Sequence, residues 1–332
     1  MPDDRKTPDV SVIRLSSNKE DLMEALASFS FPVSSRRKNM FPYFNAIRET
    51  SELSDLQGLV IYQNDAPAAV ILGSTSAHKG DGEFSYFGTY ARLEVASDFQ
   101  NDITSNVLRR ISKELLGFLG GRGAQIELKM RNSVETRLLH SLLIEASSHQ
   151  VTFEAISKPE LGSEAILKAI RSGHRESVRK GLQNFHEGVD VHYGSLEPHV
   201  ADSFQRLHVH AAGRVTRPER SWEEMFTAIK AKNAMLVTAQ FEGELVGATF
   251  SWLGPNDALY GTGAYNRELF HVFPISHALL FRSIEKAGDL GLHEFVLGDP
   301  FALAGNQKEK GIASFKMGFA IEIHEVHQIR LG

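Results

Sequence analysis

Leu59-Val60-Ile61-Tyr62, a turn at Asn64-Asp65 and Ala68-Ala69-Val70-Ile71-Leu72 give the first of two matching signals in this chain. The second is Met235-Leu236-Val237-Thr238, a turn at Glu242-Gly243 and Leu245-Val246-Gly247-Ala248-Thr249-Phe250. Short apolar runs on both sides of a small polar turn read as β-hairpins. Gln63 matches Gln240, and Ser74 matches Ser251 at the same offset. Outward from each hairpin lies a third strand, over 84–90 or 259–265. A helical pattern follows and ends at glycine: 103–119 before Gly120-Gly121, and 275–290 before Gly291. Each helix leads to a short strand, 125–128 or 294–297. A helix over 134–145 and a strand over 151–156 close the first copy; a polar loop and a strand over 321–329 close the second. The order is mixed α/β. It predicts two similar domains, 1–157 and 158–332, with Lys158-Pro159 and Gly162 breaking the pattern between them.

The composition allows two buried cores. The 332 residues are 42% hydrophobic, and the net charge is −5. Disorder, collagen and coiled coil are excluded as descriptions of the whole chain. Cysteine is absent, which removes disulfides, thiolate metal sites and Cys nucleophiles. The start, Met1-Pro2-Asp3-Asp4-Arg5-Lys6, has no apolar core of a signal peptide, and no apolar run approaches the ~18 residues of a membrane span. The expected setting is therefore cytoplasmic. A protein that grips long nucleic acid usually shows a basic excess, so such a role here needs a local patch.

Several familiar chemistries are missing. The chain has no G-x-x-x-x-G-K-[ST] phosphate loop and no G-x-S-x-G nucleophile elbow. Gly261-Thr262-Gly263 begins like a dinucleotide fingerprint, but Asn266 stands where the third glycine belongs. His208 and His210 are about 200° apart on a helix, and His324 and His327 fall on opposite faces of a strand, so no metal is expected.

Four constellations remain. Lys168, Arg171, Arg175 and Arg179 share an arc of about 80° if they lie on one helix, a stripe suited to anions. Pro274 sits well at a helix start, leaving the N–H groups of Ile275, Ser276 and His277 to face an anion or acyl oxygen. Asp299 ends a strand, and Lys316 stands between Phe315 and Phe319 after a polar loop over 299–310 that could act as a lid. Arg36-Arg37-Lys38 is a basic triplet that reads alone as a solvated turn.

The second half resembles the FemAB-like branch of the GNAT superfamily, including the acetyltransferase-like domain of bacterial exopolysaccharide and cell-envelope loci. The resemblance rests on Ile170-Arg171-Ser172-Gly173-His174-Arg175, residues 204–208, Arg217-Pro218-x-x-x-Trp222, residues 260–270, Ser276-His277-Ala278-Leu279-Leu280, Gly291-Leu292-x-x-Phe295-x-Leu297-Gly298 and Phe315-Lys316-x-x-Phe319. The first half joins it through the repeat. The resemblance implies two tandem GNAT-like domains, each a mixed, largely antiparallel sheet flanked by helices. It also implies acyl transfer to an amine, with acyl-CoA or aminoacyl-tRNA as donor and no metal. The implied acceptor is a small-molecule or nucleotide-linked envelope precursor, as in polysaccharide biosynthesis.

In the tRNA-using relatives, a lysine of the F-K-x-x-F-G segment stabilises the reacting centre. The matching residue here is Lys316, although Ala320 replaces the usual glycine. The usual coenzyme A loop is not visible before Pro274. The residues implied for catalysis are Lys316 for the oxyanion, Asp299 as base, and Tyr265 as acid or orienting group. Ile275, Ser276, His277, Arg171 and Arg175 are expected to bind the donor, and Arg36 and Lys38 of the first domain the acceptor. An alternative from another class is a non-catalytic module that binds a nucleotide sugar.

Overall fold

In a computed structural model, residues 10–15, 32–48, 56–75, 83–87, 89–96, 105–119, 123–130, 133–185, 188–300 and 307–332 are described. Contacts divide the chain into two compact units. Unit 1 holds Met1–Arg37, Thr50–Thr152 and His324–Gly332; unit 2 holds Lys38–Glu49 and Phe153–Ile323. Three segments thus fall on the other side of a cut at 157: 38–49, most of the first helix, and 153–157 join unit 2, and 324–332, nearly all of the last strand, joins unit 1.

The first half runs β1 (Val10–Leu15), α1 (Pro32–Arg48), β2 (Leu56–Gln63), β3 (Ala66–Thr75), β4 (Phe84–Ser85), β5 (Ala91–Val95), α2 (Ser105–Leu119), β6 (Ala124–Lys129), α3 (Ser133–Leu143) and β7 (Ala146–Ser157). The second runs α4 (Ser163–Ala169), α5 (Ser172–Asn184), β8 (Val189–His192), α6 (Pro198–Ala212), α7 (Glu219–Lys230), β9 (Ala234–Phe241), β10 (Glu244–Leu253), β11 (Asp257–Tyr265), α8 (Ile275–Asp289), β12 (Glu294–Gly298), α9 (Gln307–Phe319) and β13 (Glu322–Leu331).

Both hairpins form, and both turn through two residues of positive φ: Asn64 and Asp65 at 50° and 62°, Glu242 and Gly243 at 53° and 80°. That is the two-residue turn whose twist matches paired strands. Each hairpin carries a register shift, at Ile61/Tyr62 and at Leu245/Gly247. Aligning turns and shifts sets the copies one residue further apart than the Gln63–Gln240 and Ser74–Ser251 matches imply. Those identities are therefore coincidental, since one residue of slip turns every side chain to the other face of a sheet. The third strand of the first copy is also interrupted. Phe87 takes φ 52°, Tyr86 bridges back to Thr89, and the chain divides into β4 and β5.

The repeat is clearest in strand order. In unit 1, β1, β2, β3 and β5 pair antiparallel in turn, β5 runs parallel to β6, and β13 closes antiparallel on β6. In unit 2, β8, β9, β10 and β11 pair antiparallel in turn, β11 runs parallel to β12, and the end of β7 closes antiparallel on β12. Each sixth position is filled by the last strand of the other half. In unit 2, α6 and α7 cover one face with Phe204 and Trp222 packed on Phe250 and Trp252. Val178 of α5 and Leu280, Phe281 and Ile284 of α8 pack with Phe295 and Phe319 in a second cluster. Each such buried side chain contributes roughly 1.5–3 kcal/mol.

Strand exchange has a direct consequence. Ile329 is fully buried in β13 opposite Ile126 of β6. Ile329→Ala should destabilise unit 1 by about 2–5 kcal/mol in denaturant unfolding. Hydrogen exchange should then quicken in β6 and leave β12 protected. Loss of protection in β12 instead would contradict the exchange.

Candidate active site

Unit 2 contains a seam that opens. β11 and β12 pair in parallel through three residues only, Asp257↔Glu294, Ala258↔Phe295 and Leu259↔Val296. β11 continues to Tyr265 and stays bonded to β10, whereas β12 stops at Gly298, whose φ is +85°. Past Leu259 the two strands no longer share a ladder. Lys316 lies at this strand end: its Nζ is 3.2 Å from where a Cβ on Gly298 would stand. The half-buried Lys316 ammonium has its pKa lowered, chiefly by desolvation, while the charge of Asp299 opposes the shift. Asp299 itself is exposed. The structure therefore brings Lys316 and Asp299 together beside Gly298.

Lys316 sits on α9, and α9 is tied to the start of α5. The Arg171 N–H donates to the Gly318 carbonyl at 3.2 Å. His174 Nε2 lies 3.2 Å from the Phe315 carbonyl, and His174 Nδ1 lies 3.2 Å from an Arg171 guanidinium nitrogen. A carbonyl needs a donor and a guanidinium needs an acceptor. These partners assign a neutral His174 with its proton on Nε2. Burial first, then the Arg171 charge, lower the His174 pKa, in agreement. A side chain on Gly318 would collide with the His174 ring. His277 of α8 packs edge-on to His174 and Phe315, at 4.7 and 5.0 Å between ring centres. Its pKa is lowered to about 4, by burial before the charges of His174 and Arg171.

The expected donor-binding residues do not act as one surface. The basic stripe is broken, because α4 ends at Ala169, and Ile170 and Arg171 are extended with ψ 157° and 138°. Arg175 turns back onto the exposed end of α4 and donates to the Lys168 and Ile170 carbonyls at 2.8 and 3.3 Å. It caps a helix instead of facing an anion. At the start of α8, the Ile275 N–H donates to Phe273 and the His277 N–H to Pro274, at 2.9 and 3.1 Å. Ile275 is also fully buried. Two of the three N–H groups expected to meet a ligand are thus committed, which leaves Ser276.

Tyr265 is the middle of a hydroxyl chain. Its Oη lies 2.9 Å from Thr249 Oγ1 and bonds with Tyr260. Burial raises the pKa of both phenols, which keeps them protonated. Tyr260 packs against the cluster that holds Phe295 and Phe319. The basic triplet lies in helix α1, not in a solvated turn. Arg36 is 3% exposed, and Arg37 pairs with Glu127 at 2.5 Å over the Tyr86 ring. Lys38 is half-buried, which lowers its pKa. Of the expected lid, 301–306 lie outside the described residues, and 307 onward is helix α9.

A cavity of about 340 Å³ in unit 2 is lined by His208, Thr216, Arg217, Gly263, Arg267 and Ile312, among others. Ile312 is one turn before Lys316 on α9. Arg217 lies over the Trp222 ring at 4.9 Å and contacts His208 Nε2 at 3.3 Å. The His208 pKa is lowered to about 4, by burial and then by Arg217. Sequence reasoning assigned no role to this pair; the signal was the joint occurrence of residues 204–208 and the Arg217-to-Trp222 motif. Among the described residues, no group of three or more His, Cys, Asp or Glu is placed to hold a metal ion, and no helix is long and apolar enough to cross a membrane.

The structure of FemX superposes with a TM-score of 0.62 at 12% identity, covering 88% of this chain and 94% of that one. This chain has the fold of FemX. A conserved protein of unknown function from Bacteroides thetaiotaomicron VPI-5482 gives a TM-score of 0.59 at 11% identity, over 95% of this chain and 98% of that one. L-PGS from Bacillus licheniformis gives 0.55 at 12%, over 94% and 91%. No protein-family model and no curated protein matches the sequence. The FemX fold agrees with the mixed α/β class and the FemAB-like resemblance read from the sequence.

The α5–α9 junction makes two measurements decisive. Gly318→Ala should lower the unfolding free energy by about 1–3 kcal/mol through overpacking against His174, whereas Gly311→Ala, with open space around its Cβ, should be neutral or stabilising. Equal effects would remove the close contact. Because His277 binds its proton less readily folded than unfolded, the unfolded chain holds more protons between its ordinary 6.5 and about 4. Stability should therefore fall as pH drops through that window, and His277→Gln should flatten the slope. An unchanged slope would show that His277 does not carry it.

Proposed function

We propose that unit 2 is an N-acyltransferase centre in which Lys316 stabilises the carbonyl oxygen of an activated acyl donor. The observation that carries the reading is the partly desolvated Lys316 ammonium beside Gly298, where the β11–β12 ladder has ended. A charge at such a position, with little water to screen it, favours an oxyanion as it develops. The acceptor amine attacks the carbonyl carbon. The new C–N bond forms, the bond to the donor's sulfur or ester oxygen breaks, and the amine proton leaves. Asp299 is the carboxylate nearest this chemistry in the reading. It holds Lys316 protonated and is the first candidate to receive the amine proton. Tyr265, protonated through its burial, serves to orient or donate and not as a base.

The cavity beside Ile312 suits an acceptor with an anionic group, because Arg217 and Arg267 line it and His208 adds a neutral donor or acceptor. This supports a phosphate-bearing, nucleotide-linked envelope precursor. Acyl-CoA is the first donor proposed. Aminoacyl-tRNA is a second reading, favoured by the committed N–H groups of Ile275 and His277, which leave the α8 start with little to offer a pyrophosphate. The net charge of −5 weighs against a broad tRNA footprint.

Mass spectrometry of ligand retained by the purified protein, followed by transfer assays with acetyl-CoA and with aminoacyl-tRNA, separates the donors. In whichever assay is active, Lys316→Met should cost about 10²–10³ in kcat, or ~2.7–4 kcal/mol. The sign of the pH effect is also set. Lys316 loses its proton below its ordinary 10.5, so the alkaline limb of kcat/KM should fall early. Lys316→Arg, which keeps its charge, should move that limb upward. A fully active Lys316→Met would remove Lys316 from the mechanism.

A further inference from the structure

Unit 1 carries a groove of about 720 Å³ between α2 and α3. Its volume lies within the range of small-molecule sites, roughly 300–1,000 Å³. The two helices line it in the same order. Along α2 come Arg109, then Ser112 and Lys113, then Leu116; along α3 come Arg137, then His140 and Ser141, with Ile144 just beyond the helix end. Spacings of three, four and seven residues keep each set on one helix face. Each face begins with a cation, passes through polar residues and ends in an aliphatic side chain.

Two observations point to a ligand. Ser112 is 5% exposed, and its hydroxyl oxygen is buried without a hydrogen-bond partner among the described residues. A buried polar atom left alone is costly, and it gains if a ligand supplies the partner. Just past the end of α3, Ile144 is 71% exposed, more than any other large hydrophobic residue described except Val215. Among the described residues that line the groove, Glu145 is the one carboxylate, against the cations Arg109, Lys113 and Arg137.

We propose that this groove binds an anionic amphiphile: one apolar chain with a phosphate- or carboxylate-type head. The head lies among Arg109, Lys113, Arg137 and the Ser112 hydroxyl, and the chain lies against Leu116 and Ile144. The occupant is a single amphiphile entering the groove and not a bilayer surface. The site belongs to unit 1 and does not depend on acyl transfer in unit 2.

Titration calorimetry of the full chain with dodecyl phosphate, below its aggregation concentration, tests this. Dodecyl maltoside supplies the chain without the charge, and inorganic phosphate supplies the charge without the chain. Dodecyl phosphate should bind about tenfold or more tightly than either, and added salt should weaken it. Arg109→Gln combined with Lys113→Gln should weaken binding by about tenfold, and Ile144→Ser should weaken it severalfold, with unchanged melting temperatures because all three residues are exposed. Equal binding of dodecyl maltoside, equal binding of inorganic phosphate, or unchanged affinity in the folded variants would overturn the proposal. So would binding to phosphatidylglycerol vesicles with none to monomeric dodecyl phosphate, which would indicate a membrane surface.

Discussion

β12 is held on one side by the end of β7, through Phe295↔Ser157, Val296↔Ile156 and Gly298↔Ala155, and on the other by three parallel pairs with β11. The candidate chemistry depends on this short ladder. It fixes where β12 stops, and Gly298 at that point leaves room for the Lys316 ammonium. The chain returns to the same anchor after α9, where the Ile321 N–H donates to the Ile156 carbonyl at 2.8 Å. A strand from the first half of the sequence thus supports both elements that carry Lys316 and Asp299. Hydrogen-bonded strands hold a site more firmly than a loop does.

The second support is electrostatic economy around α9. Two histidines stand near Arg171, and both are kept neutral by burial and by that charge. His174 can then accept from Arg171 with one nitrogen and donate to Phe315 with the other. A protonated His174 would lose the acceptor and place two cations in contact. Neutrality is therefore a structural requirement of the junction, and it leaves Lys316 as the charged group on the final turns of α9.

Much of this was legible in the sequence. Apolar runs around Asn64-Asp65 and Glu242-Gly243 revealed the hairpins, because turn chemistry and alternation are local. The helix before Gly291 was legible for the same reason. The register between the copies was missed by one residue, since isolated identities such as Gln63 and Gln240 carry no information about bulges. The break at Ile170–Arg171 has no proline or glycine at the break itself; Arg175 completes it by capping from the next helix. The exchange of β7 and β13 could not be read, because an apolar strand pattern states that a strand is buried and not which neighbour it has. Lys316 and Asp299 were found by resemblance and strand-end position, while His174 acts through a contact distant in sequence, the Phe315 carbonyl.

The central claim is that the Lys316 ammonium is partly desolvated and sustained by Asp299. An NMR titration of the lysine side-chain resonances, with Lys316 assigned by mutation, measures this directly. The account predicts that Lys316 titrates below its ordinary 10.5, and that Asp299→Asn lowers it further, because that carboxylate is the one group raising it. A Lys316 that titrates like a solvent-exposed lysine, with no response to Asp299→Asn, would contradict the account.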